Sequence, residues 1–349
     1  SRDSWVSVLL GIGRAVGSRY MKATHNWVLN GCGLGSPGGA WRFVMVPLGL
    51  CVLLLTGGGC SARKYALNRM GDALASSGTT FASDNDPQLV RDAAPFSLKL
   101  MESVLSEVPR HTGLLLATSS GFTQYAYAFV HQEADELEQD DFAAAMVLRK
   151  RAAALYLRAK DYGLRGLSVR FPGFESALHA DPVRAVQAAR RKDVPLLYWT
   201  AAAWGSAISL SKDQPARVAE VPAVEAMIDR CLELDEAYEQ GVIHSFLISY
   251  EMSRQGAPGI PEERARLHFE RALELSAGVQ AAPLVALAEA VCVQKQDVKE
   301  FDALLERALA IDPDQAPEVR LVNLVMQRRA RWLVSRREEL FLISDQELK

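Results

Sequence analysis

From residue 60 onward the apolar positions recur at three- and four-residue intervals, the spacing of one helix face, and the alternation expected of strands is scarce. The periodic blocks predict helices over roughly 63–77, 87–107, 112–137, 141–169, 173–180, 182–191, 195–210, 221–236, 239–254, 261–276, 282–294, 298–311 and 317–343. Between them fall Asp84-Asn85-Asp86-Pro87, Val108-Pro109, Phe171-Pro172-Gly173, Asp181-Pro182, Asp213-Gln214-Pro215, Gly256 to Pro261 and Asp312-Pro313. Asp86 and Asp181 each place a carboxylate acceptor one residue ahead of a proline at the first helical position, which reads as a capped helix start. Connections this short make consecutive helices antiparallel neighbours. The fold expected is all-α, a set of antiparallel helical hairpins spanning residues 60–349 as one helical-repeat domain.

A degenerate repeat runs through the helices. Ala265, Phe269, Ala272, Leu273 and Leu275 share a face, and Phe301, Leu305, Ala308, Leu309 and Ile311 repeat its spacing 36 residues later, with Asp312-Pro313 as the stop. Val224, Ile228, Cys231, Leu232 and Leu234 repeat it 41 residues earlier, and a poorer copy ends at Gly166, Leu167 and Val169. A large residue, a small one three positions on, then leucine and an aliphatic before proline resembles the second helix of a tetratricopeptide repeat (TPR). The small position lets two helices approach while the large ones fill the groove to the next pair. The resemblance implies hairpins stacked as a TPR-like superhelix.

Residues 1–59 fall outside this pattern. Phe43 to Thr56 is a run of about 14 mostly apolar residues, too short to span a bilayer comfortably. With Arg42 in front and Gly57 to Gly59 behind, it reads as a signal peptide over 42–59. Cys60 follows directly, which resembles a bacterial lipoprotein signal and implies lipidation at Cys60. An ordinary cleaved signal and a short uncleaved anchor are the alternatives. Residues 1–41 carry no sustained period; Met21 and Met45 are candidate starts, and residues 1–20 read as translated from upstream of the true start. The whole chain has 39 basic and 42 acidic residues; removing 1–59 takes away five basic and one acidic, leaving 34 and 41, a net charge of −7. That balance argues against a nucleic-acid partner, which needs basic surface. Cys231 and Cys292 lie in apolar helical pattern and read as buried free thiols, with a disulfide as the alternative in an oxidising compartment.

Longer stretches carry a family likeness. They include Ala94-Pro95-Phe96, Ser119 to Ala126, Arg158-Ala159-Lys160 and Arg170-Phe171-Pro172-Gly173. The most specific is Val194-Pro195-Leu196-Leu197-Tyr198-Trp199-Thr200 running to Trp204, followed later by His268 to Leu275 and Arg328 to Leu333. Across about residues 60–343 the chain resembles the TatT-type T component of tripartite ATP-independent periplasmic (TRAP) transporters. The resemblance implies a lipid-anchored periplasmic protein, held at a membrane, with the outer membrane expected. It also implies a homotrimer with a hydrophobic pore or cleft in each protomer, and contact with the transporter's substrate-binding P subunit.

Motifs for chemistry are scarce. The six histidines are scattered, with no His-Glu-x-x-His pattern, and Asp84-Asn85-Asp86 lacks the glycine and distal glutamate of a calcium loop, so neither metal nor cofactor is expected. Gly33 to Gly38 spells a dinucleotide-loop pattern but contains Pro37 and follows no strand. No serine sits in a nucleophile elbow; Ser119-Ser120-Gly121 reads as a close helix approach or a ligand-lining kink. The acidic run Glu133 to Asp141 reads as a solvated helix end or a partner-docking patch. The basic run Arg328, Arg329, Arg331, Arg336 and Arg337, behind the apolar stripe Val322, Met326, Ala330 and Leu333, reads as a C-terminal capping helix with a polar outer face. Tyr198, Trp199 and Trp204 stand among Ala201, Ala202, Ala203, Gly205 and Ala207, a composition that suits either tight core packing or the wall of a cavity for an apolar or organic-acid ligand; Tyr125 is a further candidate of that kind. A non-enzymatic accessory lipoprotein of a solute transporter is the function these signs favour, with a generic TPR-like scaffold lipoprotein for envelope protein interactions as the alternative.

Overall fold

The computed structural model describes residues 63–342. The signal segment, Cys60 and the last residues of the chain lie outside them. The described chain is all-helical. A first helix over 63–76 (α1) leads to α2 (Gly78–Ala82), α3 (Pro87–Glu107) and α4 (Thr112–Ala126). A π-turn at Tyr127–His131 joins α4 to α5 (Gln132–Leu137), and the long α6 (Phe142–Arg170) follows. Then come α7 (Phe174–Ala180), α8 (Pro182–Val186), α9 (Val194–Ser209), α10 (Pro215–Val218), α11 (Val221–Asp235) and α12 (Val242–Glu251). The chain ends with α13 (Pro261–Leu275), α14 (Ala282–Leu287), a second π-turn at Ala288–Cys292, α15 (Val293–Lys295), α16 (Val298–Ala310), α17 (Arg320–Ser335) and α18 (Arg337–Leu340).

The caps form as their residue types dictate. The Asp86 carboxylate accepts from the amides of Gln88 and Leu89, and Asp181 accepts from that of Arg184. Neighbours in sequence pack as neighbours in space: α4 lies on α6, α6 on α9, α9 on α11, α12 on α13, and α16 on α17. The small position of the repeat is buried in all four copies, at Gly166, Cys231, Ala272 and Ala308. At Gly166 an added methyl would stand 2.9 Å from both methyl carbons of Leu196, so the glycine sets how closely α6 and α9 cross. Gly163, one turn earlier, is tighter still, because a methyl there would overlap the Thr200 hydroxyl.

Three features depart from the sequence reading. The helix expected over 239–254 starts only at Val242, because residues 238–240 form a tight turn. The block expected over 182–191 stops at Val186, and α2 and α10 are short helices in stretches read as loops. The basic run of α17 does not form a polar outer face throughout. Arg329 is 5% exposed and binds Asp135 at 2.8 Å and also Glu289; Arg328 forks onto Glu136. The acidic run near 133–141 and the basic run near 328–337 therefore meet each other, 192 residues apart at Glu136 and Arg328, and α17 closes back against α2, α3 and the first π-turn. Cys231 and Cys292 are both buried free thiols.

Candidate functional site

Where α17 closes onto the early helices it leaves a cavity of about 580 Å³. Its walls are Ala94, Leu98 and Met101 of α3, Leu116, Gly121 and Tyr125 of α4, and Phe129 of the π-turn. Pro195 and Trp199 of α9 and Leu321, Val322 and Val325 of α17 complete them, with Tyr238 and Glu239 between α11 and α12. The volume is that of a site for a small organic molecule. The expected close approach at Ser119-Ser120-Gly121 is real: a methyl on Gly121 would stand 2.8 Å from Leu98, and Ser120 and Gly121 both line the cavity. The π-turn brings Ala128 and Phe129 onto the wall, since one extra residue in the helical turn rotates the side chains after it.

The four aromatics singled out in the sequence take different places. Trp199 and Tyr125 line the cavity. Tyr198 stands behind Trp199, their rings edge to face at 5.2 Å, and also meets Tyr238 at 5.8 Å; it is fully buried and does not reach the cavity. Trp204 packs in the core, its indole N–H donating to Glu220 Oε2 at 2.6 Å and its ring facing Lys160 at 4.8 Å.

Arg69, Asp72, Ser76, Ser77 and Thr79 supply one polar part of the lining, and the turn of residues 238–241 supplies another through Tyr238 and Glu239. Glu239 has φ 46° and ψ 49°, Gln240 has φ 56° and Gly241 has φ 90°. Two non-glycine residues held left-handed cost about 1–2 kcal/mol each, so the surroundings must impose the turn. Gln240 Oε1 accepts from the Gln280 side chain at 2.9 Å, which ties the turn to the one before α14. Gly241 leaves no room for a side chain, since a methyl there would meet Leu275 at 3.1 Å. The Tyr238 hydroxyl neighbours both the Trp199 indole and the Glu239 carboxyl. Glu239 Oε2 is enclosed and has no hydrogen-bond partner. Burial pushes the Glu239 carboxyl up to about 8, against a smaller opposing effect of Tyr238, and no basic side chain contributes.

Glu239 had no sequence signal of its own. The glycine at 241, immediately before the apolar run of α12, was the available hint that the helix starts late. Among the described residues no three His, Cys, Asp or Glu side chains converge as metal ligands, and none of the described helices is long and apolar enough to cross a membrane.

The cavity is apolar over most of its wall, with polar lining at Glu239 and at Arg69, Asp72, Ser76, Ser77 and Thr79. The TRAP transporter T-component family matches residues 83–341, and the chain belongs to that family. Membership places it among the accessory components of TRAP transporters, which are not a known enzyme family. A protein of Treponema pallidum (strain Nichols), described as an uncharacterized protein, is 31% identical over 270 residues, covering 75% of this chain and 82% of its own length.

Proposed function

We propose that residues 60–349 form the periplasmic, lipid-anchored accessory component of a TRAP transporter, held at the outer membrane through Cys60, and that the protein docks the substrate-binding P subunit as a homotrimer. In this reading the helical hairpins stack as a TPR-like superhelix, and the cavity takes a hydrophobic ligand or an organic acid for exchange with that partner. Trp199 and Tyr125 are the aromatic walls, Tyr198 holds Trp199 in place, and Trp204 belongs to the supporting core. The protein acts by binding, with no bond made or broken.

The observation that carries the reading is the cavity of about 580 Å³ inside a chain of the T-component family. Docking finds support in exposed apolar side chains at the start of α6, where Phe142 and Met146 lie one turn apart beside Val147. Affinity capture from the native envelope, with the chain from Ser61 onward as bait, tests the partner. Recovery of a periplasmic solute-binding subunit, competed away by unlabelled bait, is the expected result. Recovery of envelope assembly factors instead would favour the generic scaffold.

A further inference from the structure

Buried carboxylates elsewhere in the protein follow one rule. Asp135, Asp193 and Glu251 are the buried acidic residues among those described, and each meets arginine: Asp135 has Arg149 and Arg329, Asp193 has Arg170, and Glu251 has Arg254 and Arg264. Glu239, half-buried with one carboxyl oxygen enclosed, meets no arginine. The titratable neighbours facing its carboxyl are Tyr238 of its own turn and Tyr198 of α9. From α17 the cavity receives Leu321, Val322 and Val325, all apolar. Arg69 is the one basic side chain among the described residues that line the cavity, and it stands 3.7 Å from Asp72 on the same helix. Glu236, three residues before Glu239, is engaged by Arg271 and His244.

We infer that the Glu239 end of the cavity recognises a protonated amine carried on an apolar body, with the Glu239 carboxyl accepting from the ammonium beside the Trp199 and Tyr238 rings. The inference rests on the proposed role of the cavity as a ligand site and names the ligand's head group. Three observations carry it. Glu239 lines the cavity, and its carboxyl has one enclosed oxygen without a donor, which is costly to leave so. A backbone strained at two successive residues holds it there. Aromatic rings flank it, and a cation gains from ring faces as well as from the carboxylate. An anionic head at the same place would meet no cation, and could bind only while Glu239 keeps its proton.

Proton bookkeeping gives the sign. With its carboxyl pushed up to about 8, free Glu239 is mostly protonated at neutral pH. Forming the ammonium–carboxylate pair releases that proton, so amine affinity rises about tenfold per pH unit up to about pH 8. A carboxylate ligand paired with neutral Glu239 would show the opposite trend.

The test is calorimetric binding of decylamine, decanol and decanoate to the purified full chain between about pH 6 and about pH 8, with Glu239→Gln alongside. The expected result is tightest binding by decylamine, strengthening with pH. Glu239→Gln should weaken decylamine by about tenfold or more and flatten its pH trend, with decanol changing far less and a helical circular dichroism spectrum like the parent's showing that the variant still folds. Equal affinities for the three with no effect of Glu239→Gln, or decanoate binding best and weakening with pH, would overturn the amine assignment while keeping the cavity. Failure of all three to bind would remove the ligand-site reading itself.

Discussion

Two of the places where this protein encloses a carboxyl group treat it in opposite ways. At the α5–α17 junction, burial works to raise Asp135, but Arg329, His131 and Arg149 outweigh it and its carboxyl stays below the usual carboxylate range. Arg329 is in turn shared with Glu289, which sits in the second π-turn, and stacks on Trp332 at 4.1 Å. Both π-turns are thus tied to one arginine: His131 of the first stands 3.9 Å from Asp135. At the turn of residues 238–241, Glu239 has a tyrosine beside it and no cation, and burial moves its carboxyl the other way. The first arrangement fastens the end of the chain to its beginning. The second leaves one polar group facing a cavity. Charge that is satisfied within the protein contributes to structure; charge that is not satisfied is available to something else.

The sharpest way to break the comparison is on its paired side. Arg329→Met leaves Asp135 and Glu289 facing each other across an apolar replacement, and should destabilise the protein by about 3–5 kcal/mol in urea unfolding. Adding Asp135→Asn and Glu289→Gln should recover part of that loss. A single variant as stable as the parent would show that the junction does not hold the fold closed.

The two tryptophans of α9 extend the contrast to apolar residues. Trp204→Ala removes a core ring with a satisfied indole and should cost about 3–5 kcal/mol, with binding of an apolar probe following stability alone. Trp199→Ala, at the cavity wall, should lose probe binding in excess of its stability loss, measured by calorimetry beside thermal unfolding. Equal defects in both would make Trp199 a core residue.

Gly163→Ala probes the crossing that positions Trp199. The added methyl forces α6 and α9 apart at Thr200, and a loss of about 1–3 kcal/mol is expected, with Trp199 fluorescence shifted to longer wavelength as the wall loosens.

Much of this architecture is legible in the residues themselves. The 3.6-residue period marks nearly every long helix, the aspartate–proline pairs mark two starts, and the small positions at Gly166, Cys231, Ala272 and Ala308 mark close helix approaches. The closure of α17 was not legible, because nothing local pairs an acidic run with a basic run 192 residues away, and each alone looks like a solvated face. The cavity was half visible. Trp199 and Tyr125 announced themselves by type, but Tyr198 and Trp204 have the same type and a different place, and only the rotation of α9 against α4 and α11 separates them. Glu239 was hidden because a glutamate at the start of an apolar helix ordinarily faces water. Its orientation comes from a left-handed backbone imposed by Gly241 and the Gln240–Gln280 contact.

The unpaired side of the comparison gives the most direct test. A carboxyl raised in the folded state holds a proton that the unfolded chain has already released. Stability therefore falls as pH rises from the usual glutamate range near 4.5 to about 8 and then levels off. Asp135, lowered in the folded state, acts in the opposite direction and only at acid pH, where its protonation removes stability. The measurement is unfolding free energy from about pH 5 to about pH 9 for the parent chain and for Glu239→Gln. The account predicts that the variant gains on the parent steadily up to about pH 8 and holds a constant lead above it. Parallel curves across that range would mean that Glu239 is ionised and already satisfied within the protein, and would contradict the account.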